Sequence, residues 1–359
     1  MAQIRFGVWN MEWMNDLFTD GPAFKDNDQK VRGPNPFGSS NRPTVKDRRE
    51  SLAGVLNEVD VDALVIVEGP NKATELQLFF DTDVNGTWTC DVQPTKGGSQ
   101  ILGLAVRTDK GHFASEPFER FHIDEGMGGE SERLSSATTD FTIDTDDDEI
   151  QELHRFERLP LYAQINLANN KKLRVVGLHL KSKGIFQSYE WSKWWSQADA
   201  NRKKIVAQCT QLRHEFLDYY LTEDSTKNIP MIICGDINDG PGQDTSEKKL
   251  NVSGIERLMG TVWKPGLCLG NALYDALDDD DRWEIDLSSI STTSFKDPIF
   301  DTYRKVWIDH ILYTRNRPDT WISNAISREE MPDGQKVWRK YRYASDHFLV
   351  TADVDTDLL

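Results

Sequence analysis

The stretch VWIDHILYT (306–314), read beside YASDHFLVT (343–351), decides how this chain is built. In each, an Asp-His pair, Asp309-His310 or Asp346-His347, opens directly into a short apolar run of strand length. A carboxylate beside an imidazole at the lip of a sheet supplies metal, phosphate or proton-transfer chemistry. Either pair alone is also what a solvated strand end looks like. Two of them, with the turn Gly235-Asp236-Ile237-Asn238 upstream, favour a functional reading.

Outward from these pairs, the chain alternates short apolar runs with longer amphipathic ones. Strands are predicted at Ile4–Trp9, Ala63–Val67, Ile101–Val106, Leu161–Leu167, Leu173–Leu178, Met231–Cys234, Val306–Tyr313 and Phe348–Val354. Helices are predicted at Val45–Glu58, with Leu52, Val55, Leu56 and Val59 on or near one face, and at Ala200–Leu221. Strands outnumber helices too strongly for a doubly wound parallel sheet, so a layered α/β sandwich with long loops at one end fits better. The segments Gly21–Pro43, Glu116–Gln151 and Asp239–Asp286 read as long loops. The expectation is therefore one domain over 1–359, with insertions near 15–45, 110–151, 184–198 and 239–290 and no internal repeat.

The 359 residues carry a net charge of -17, which at face value argues against a partner covered in phosphates. Its location matters more than its sum. Asp140–Glu152 (DFTIDTDDDEIQE) has seven acids and no base, and Asp275–Asp286 (DALDDDDRWEID) has seven acids against one base, so the remainder is only mildly acidic. Both runs read as solvated loops, without the spacing of a calcium loop. Cys90, Cys209, Cys234 and Cys268 are too scattered for structural zinc or a disulfide framework; Cys209 and Cys234 read as buried thiols. Without a leader pattern or a membrane-length apolar run, the chain is expected to be soluble and cytoplasmic, with no membrane partner.

Polar residues sit just past apolar runs of similar length: Asn10, Glu68, His179, Asp236, Asn238, Asp309 and the pair Asp346-His347. If those strands share a pair of sheets, their ends converge on one edge. Glu68, Asp236 and Asp346 offer the oxygens a hard divalent cation wants, while Asn10 and Asn238 offer neutral oxygen or N–H groups. His347 beside a carboxylate can stay protonated and donate to a phosphoryl oxygen, or shuttle a proton.

The order Asn10, Glu68, His179-Leu180-Lys181-Ser182, Gly235-Asp236-Ile237-Asn238, Ile308-Asp309-His310-Ile311-Leu312, Ser345-Asp346-His347 resembles the endonuclease/exonuclease/phosphatase superfamily, the deoxyribonuclease-I-like fold, over nearly the whole chain. The resemblance implies a four-layered α/β/β/α sandwich, two mixed sheets flanked by helices, and Mg²⁺- or Mn²⁺-dependent hydrolysis of phosphoesters. It implies Glu68 as metal ligand with Asn10 close by and Asp346 in the same cluster. Asp236 would orient or deprotonate the attacking water, Asn238 would hold the phosphate, and His347, fixed by Asp309, would contact it. His179 would assist as acid at the leaving oxygen, and Arg158 and Lys181 would bind substrate phosphate. His310 is expected to be structural. Val67-Glu68-Gly69-Pro70 departs from the family's Leu-Gln-Glu context, and Glu12, which would share the face of Asn10 in a continuing strand, is a possible extra ligand or, with at least equal weight, a loop carboxylate.

For substrate, the stretch His179-Leu180-Lys181-Ser182-Lys183-Gly184 is similar to bacterial nucleases of the superfamily. Asn201-Arg202-Lys203-Lys204 and Arg339-Lys340-Tyr341-Arg342-Tyr343 suit backbone phosphates with aromatic stacking. The tract Tyr189–Trp195 (YEWSKWW) reads as core packing or a partner interface before a base-stacking wall. A DNA endonuclease is favoured, with DNA over RNA as partner. A phosphatase or phosphodiesterase acting on a small-molecule or lipid phosphoester stays open, and the acidic runs make it more credible. A catalytically dead binding module is disfavoured, because each matched acid, amide and histidine is present.

Overall fold

The structure, a computed structural model, describes residues 3–34, 42–95, 98–123, 130–145, 149–184, 190–240, 245–280, 290–297, 302–318 and 321–359. Two six-stranded mixed sheets pack face to face with helices on both outer surfaces, the four-layered α/β/β/α sandwich. The first sheet contains β1 (Gln3–Asn10), β2 (Ala63–Gly69), β3 (Trp88–Gln93), β4 (Ile101–Arg107), β15 (Ile322–Ser327) and β16 (Val350–Asp355), in the order β15-β16-β1-β2-β4-β3. The second contains β5 (Phe113–Arg120), β8 (Leu161–Leu167), β9 (Lys172–His179), β10 (Met231–Asp236), β11 (Leu269–Asn271) and β14 (Asp309–Thr314), in the order β11-β14-β10-β9-β8-β5, and β12 (Thr293–Asp297) pairs antiparallel with β13 (Thr302–Val306) apart from both sheets.

Period-two patterning builds the layers. Ile4, Phe6 and Val8 of β1 and Ala63, Val65 and Val67 of β2 meet Ala163, Val175, Ile232, Cys234 and Ile311 of the opposite sheet in one buried core. The alternate residues Leu64 and Ile66 pack outward under α1 (Val45–Val59) and α2 (Ala73–Asp83), joining Leu52, Val55, Leu56, Leu76, Phe79 and Phe80. Val176, Leu178 and Ile233 do the same for the second sheet under α3 (Glu130–Ala137) and α4 (Trp191–Gln211), joining Leu134, Ile205, Cys209 and Leu212. Thr44 and Asp47 fix the start of α1 as a reciprocal cap, each side chain accepting the other's backbone N–H.

Several expectations shift. Continuous apolar runs mark central strands, whereas β3, β5 and β15 carry polar residues on exposed faces and were not legible as strands. Helix α4 begins at Trp191, nine residues before the predicted helix start, and runs into a wider-turned segment Leu212–Leu217 and a last turn Asp218–Thr222. The expected loop Glu116–Gln151 holds the end of β5, α3 and β6 (Phe141–Ile143). β6 pairs with β7 (Glu152–His154), so the first acidic run is spanned by a hairpin. In the second, Asp275 accepts the Tyr313 hydroxyl at 2.7 Å; 281–289 lie outside the described residues. In the Trp tract, Trp195 is 49% exposed, so that residue is not core; Tyr189 and the Trp191 side chain lie outside the described set. Cys209 and Cys234 are buried thiols. No helix among the described residues is long and apolar enough to cross a membrane.

Gly235, at φ +141°, lies in β10 directly opposite Leu178 of β9, so a Cβ there would run into the Leu178 backbone carbonyl. This close approach is why the turn before Asp236 begins with glycine. Gly235→Ala should lower the unfolding free energy by about 3 kcal/mol, measured by urea denaturation, as expected for overpacking combined with a strained φ.

Candidate active site

Each sheet has one parallel pair at its centre, and parallel strands end at the same edge. In the first sheet β1 and β2 run parallel, delivering Asn10 and Glu68. In the second β9 and β10 run parallel, with His179 in register with Asp236. Strand β14 is antiparallel to β10, so its first residue, Asp309, pairs with Asp236 at the same lip. Strand β16 is antiparallel to β1, which returns Asp346-His347 to that edge just before the strand begins. The polar strand ends predicted from sequence thus come together.

Local irregularities aim the side chains. The pairing of β2 with β4 slips between Ile66 and Gly69, and Glu68 sits there at φ 57° in the left-handed region. This bulge re-aims the carboxylate and accounts for the Glu-Gly-Pro context. Strand β1 stops at Asn10, and Glu12 (φ 41°) and Trp13 (φ 56°) form a left-handed turn, so of the two readings of Glu12 the loop carboxylate holds and the continuing strand face does not. The turn directs the Glu12 N–H to Asn10 Oδ1 at 3.0 Å and the Trp13 N–H to Glu68 Oε2 at 2.9 Å.

The two sheets are joined where Asn10 Nδ2 donates to Asp236 Oδ2 at 3.1 Å, while also lying 3.5 Å from Glu68 Oε1. Around that oxygen stand two imidazoles: His179 Nε2 and His347 Nε2 are each 3.9 Å from Asp236 Oδ2. His179 Nε2 is also 3.8 Å from Glu68 Oε1. His347 Nδ1 donates to Asp309 Oδ2 at 2.8 Å, and Asp309 is itself 1% exposed. Thr292 Oγ1 accepts the Asp309 N–H at 3.0 Å, fixing that strand end. Asn238, at φ 57°, donates its backbone N–H to Asp236 Oδ1 at 2.9 Å and one amide N–H to the Leu180 carbonyl at 3.3 Å.

Burial and these neighbours separate the protonation behaviour of the groups. Asp236 is pushed up to about 7, by burial first and by the Asp309 charge second. His347 is held well above the ordinary imidazole range: burial opposes its charge, but Asp309, with Asp346 and Asp236 adding, outweighs it. His179 is held well below that range by burial, and the Arg158 charge adds to the effect. At neutral pH the site therefore pairs a charged imidazole with a neutral one across a carboxyl poised near neutrality.

The donor set fits a hard cation. Asp236, Asp309 and His347 bring ligand atoms within 4.8 Å of one another, although Asp309 and His347 already satisfy each other. Glu12 is pushed well up by burial and then by Asp346, with Glu68 adding, the crowding that a divalent ion relieves. Glu68 is 12% exposed at the side chain, and Asp346 is 48% exposed with Oδ1 3.9 Å from His347 Nε2. Asn10 lies between these groups and Asp236.

Arg158 and Lys181 are half-buried, and the charge of each acts on His179; Arg158 also donates to Gln100 Oε1 at 2.6 Å. The basic clusters are more committed than the sequence suggested. Arg202 is buried in an ion pair with Asp239, Lys203 meets Glu152 at 3.2 Å, and Lys340 and Tyr341 are bound to Glu58. His310 is structural: its Nε2 donates to the Asp239 carbonyl at 2.7 Å, its Nδ1 faces Asn271, and burial drives it down to about 3. Sequence reading missed Arg48, Asp239 and Thr292, which touch the site only through backbone or other side chains and so leave no motif.

No family model matches the chain, and no curated protein matches it. Among solved structures, similarity extends to an endonuclease/exonuclease/phosphatase from Bacteroides vulgatus at 13% identity, covering 99% of both chains, TM-score 0.49. It extends also to truncated Caenorhabditis elegans TDP2 at 11% identity, covering 98% of this chain and 97% of the other, TM-score 0.48. A third is the human Nocturnin catalytic domain with bound sulfate, at 14% identity over 98% and 94%, TM-score 0.47. The two six-stranded mixed sheets with helices outside are the four-layered arrangement that the sequence resemblance implied.

The Asp309–His347 pair makes stability depend on pH in a defined direction. Because the folded imidazole is raised above its unfolded value, the stabilisation is complete below about pH 6.5 and is lost as pH rises through the folded value. Asp309→Asn should bring the His347 titration down toward the ordinary range and flatten that loss. NMR titration of the His347 ring nitrogens, with thermal unfolding across the same pH series, measures both.

Proposed function

We propose that this chain is a member of the endonuclease/exonuclease/phosphatase superfamily, acting over 1–359 as a divalent-metal-dependent phosphodiesterase with nuclease activity on DNA. The observation that carries the reading is the placement of His179 Nε2 and His347 Nε2, each 3.9 Å from one buried Asp236 oxygen, with Glu68 alongside. Few tasks other than in-line hydrolysis need a base, two imidazoles of opposite protonation state and an oxygen ligand set at one lip.

Glu68, with Asn10 and Asp346, would hold Mg²⁺ or Mn²⁺; when bound, the ion supplies positive charge opposite the phosphoryl oxygens. Asp236, oriented by Asn10 and by the Asn238 N–H, accepts the proton of the attacking water. The water oxygen forms its bond to phosphorus as the bond to the leaving oxygen breaks. His347, kept charged by Asp309, meets the negative charge that develops on the phosphoryl oxygens. His179, held uncharged by burial, donates a hydrogen bond to the departing oxygen rather than the proton of a general acid, and that oxygen takes its proton from solvent. The second amide N–H of Asn238 is available to the phosphate, and Arg158 and Lys181 would guide a charged backbone to the site.

Nuclease action is supported by these two cations and by Trp13, which lies beside Glu68 with the Arg32 guanidinium 3.9 Å over its ring. The net charge of -17 favours the second reading, a phosphatase or phosphodiesterase for a small-molecule or lipid phosphoester.

Hydrolysis of plasmid, single-stranded DNA, RNA and an aryl phosphodiester, each with Mg²⁺, Mn²⁺ or a chelator, separates these. Metal-dependent cleavage of DNA is expected; turnover of the small phosphodiester alone replaces the nuclease reading with the second. His347→Ala and Asp236→Asn should each lower turnover at least ~100-fold while leaving the circular dichroism unchanged. His310→Ala should cost far less turnover and act mainly on stability. Wild-type rates in the first two variants would refute the site.

A further inference from the structure

Arg48 lies in α1, outside every motif that drew attention in the sequence, and its side chain is 0% exposed. Its guanidinium donates four hydrogen bonds, all to backbone carbonyls and all at the lip of the site. Nη2 reaches the carbonyls of Met11 and Glu12, both at 2.6 Å. Nη1 reaches those of Tyr343 at 2.8 Å and Ala344 at 2.5 Å. One planar group thus ties the segment that follows β1 to the segment that precedes β16, more than 300 residues further along the chain.

Both segments orient groups of the site. Glu12 and Trp13 occupy the left-handed region, which non-glycine residues hold only when their surroundings enforce it. Their N–H groups position Asn10 and Glu68. On the other side Ser345 follows the clamped carbonyls; its Oγ donates to the Asn10 carbonyl at 2.6 Å and accepts the His347 N–H at 3.1 Å. The Trp9 indole donates to the His347 carbonyl at 3.0 Å. Released from Arg48, the left-handed turn would relax toward ordinary backbone, and Glu68 and His347 would lose their common reference.

We propose that Arg48 is a positioning residue for the metal- and phosphate-binding edge, fixing Glu68 and His347 relative to each other through the backbone of the two segments. This rests on the reading of the site as a metal-dependent phosphodiesterase. Lysine cannot replace it, since an ammonium is a point donor and cannot serve two pairs of carbonyls from the two ends of a planar fork.

The test compares wild type with Arg48→Lys, and with Leu56→Ala as a control that destabilises the same helix from its core face. Three measurements are made well below the melting temperature of each protein: turnover of an aryl phosphodiester, Mn²⁺ affinity by calorimetry, and hydrogen exchange of 11–14 and 343–348 in metal-free protein. Arg48→Lys should weaken Mn²⁺ binding and lower kcat each by about 10- to 100-fold, the range for removing a residue that orients a metal ligand. It should also speed exchange in both segments, whereas Leu56→Ala should change none of the three. Wild-type Mn²⁺ affinity and exchange in Arg48→Lys, or equal effects from Leu56→Ala, would overturn the positioning role. A wild type that binds Mn²⁺ without hydrolysing any phosphodiester overturns the activity alone, and the affinity and exchange comparison then decides Arg48. A wild type that does not bind Mn²⁺ overturns both. If Arg48→Lys does not fold, Arg48→Ala with added methylguanidinium takes its place: restored Mn²⁺ affinity and protection support the clamp, and no restoration overturns it.

Discussion

Two sheets pressed face to face, each with one parallel strand pair at its centre, form the constraint on which the site depends. A parallel pair ends both its strands at one edge, and the apolar core between the sheets holds the two edges together. Asn10 and Glu68 then meet His179 and Asp236 without any long loop having to carry them. The bonds from Asn10 to Asp236 and from His347 to Asp309 record the junction, since each crosses from one sheet to the other. Antiparallel partners β14 and β16 add their leading residues at the same lip, which is why the two Asp-His pairs enter from opposite sheets.

Burial at that junction is what differentiates chemically similar groups. Asp236 and Asp309 are paired across β10 and β14 and both are nearly inaccessible, yet Asp309 has an imidazole partner at 2.8 Å and Asp236 has none so close. The His347 imidazole is therefore held well above its ordinary range, while the neighbouring Asp236 is pushed up to about 7. His179 goes the other way, held down first by burial and then by the Arg158 charge. Excess negative charge among Glu12, Glu68 and Asp346 leaves the remaining corner suited to a cation.

The two Asp-His dipeptides look alike in the chain and do different work. Asp309 contributes its carboxylate and His347 its imidazole, whereas His310 points away, held by the Asp239 carbonyl and Asn271. Period two explains the division: in a strand, Asp309 and His310 must face opposite sides. One faces the site and the other faces the layer of helices. The lysines and arginines show the same separation by context, since Arg202 and Lys340 serve ion pairs rather than the surface their spacing suggested.

The central strands, helix α1 and the run of polar strand ends were legible in the sequence because local chemistry defines them: apolar alternation, a capping residue, a polar residue where an apolar run stops. The edge strands β3, β5 and β15 were not, because an exposed strand carries no continuous apolar signal. Whether Glu12 continues a strand or sits in a loop stays open in the sequence, since nothing local announces that two left-handed residues interrupt the strand. Arg48 left no trace at all: its partners are backbone carbonyls, which every residue has, and only folding brings Met11 and Ala344 to one guanidinium. By itself the sequence determined which residue types stand at the ends of which strands, because that follows from hydrophobic periodicity along the chain. The tertiary structure alone decided their distances, their protonation and the side chains that hold them, because those depend on burial and on neighbours far away in sequence.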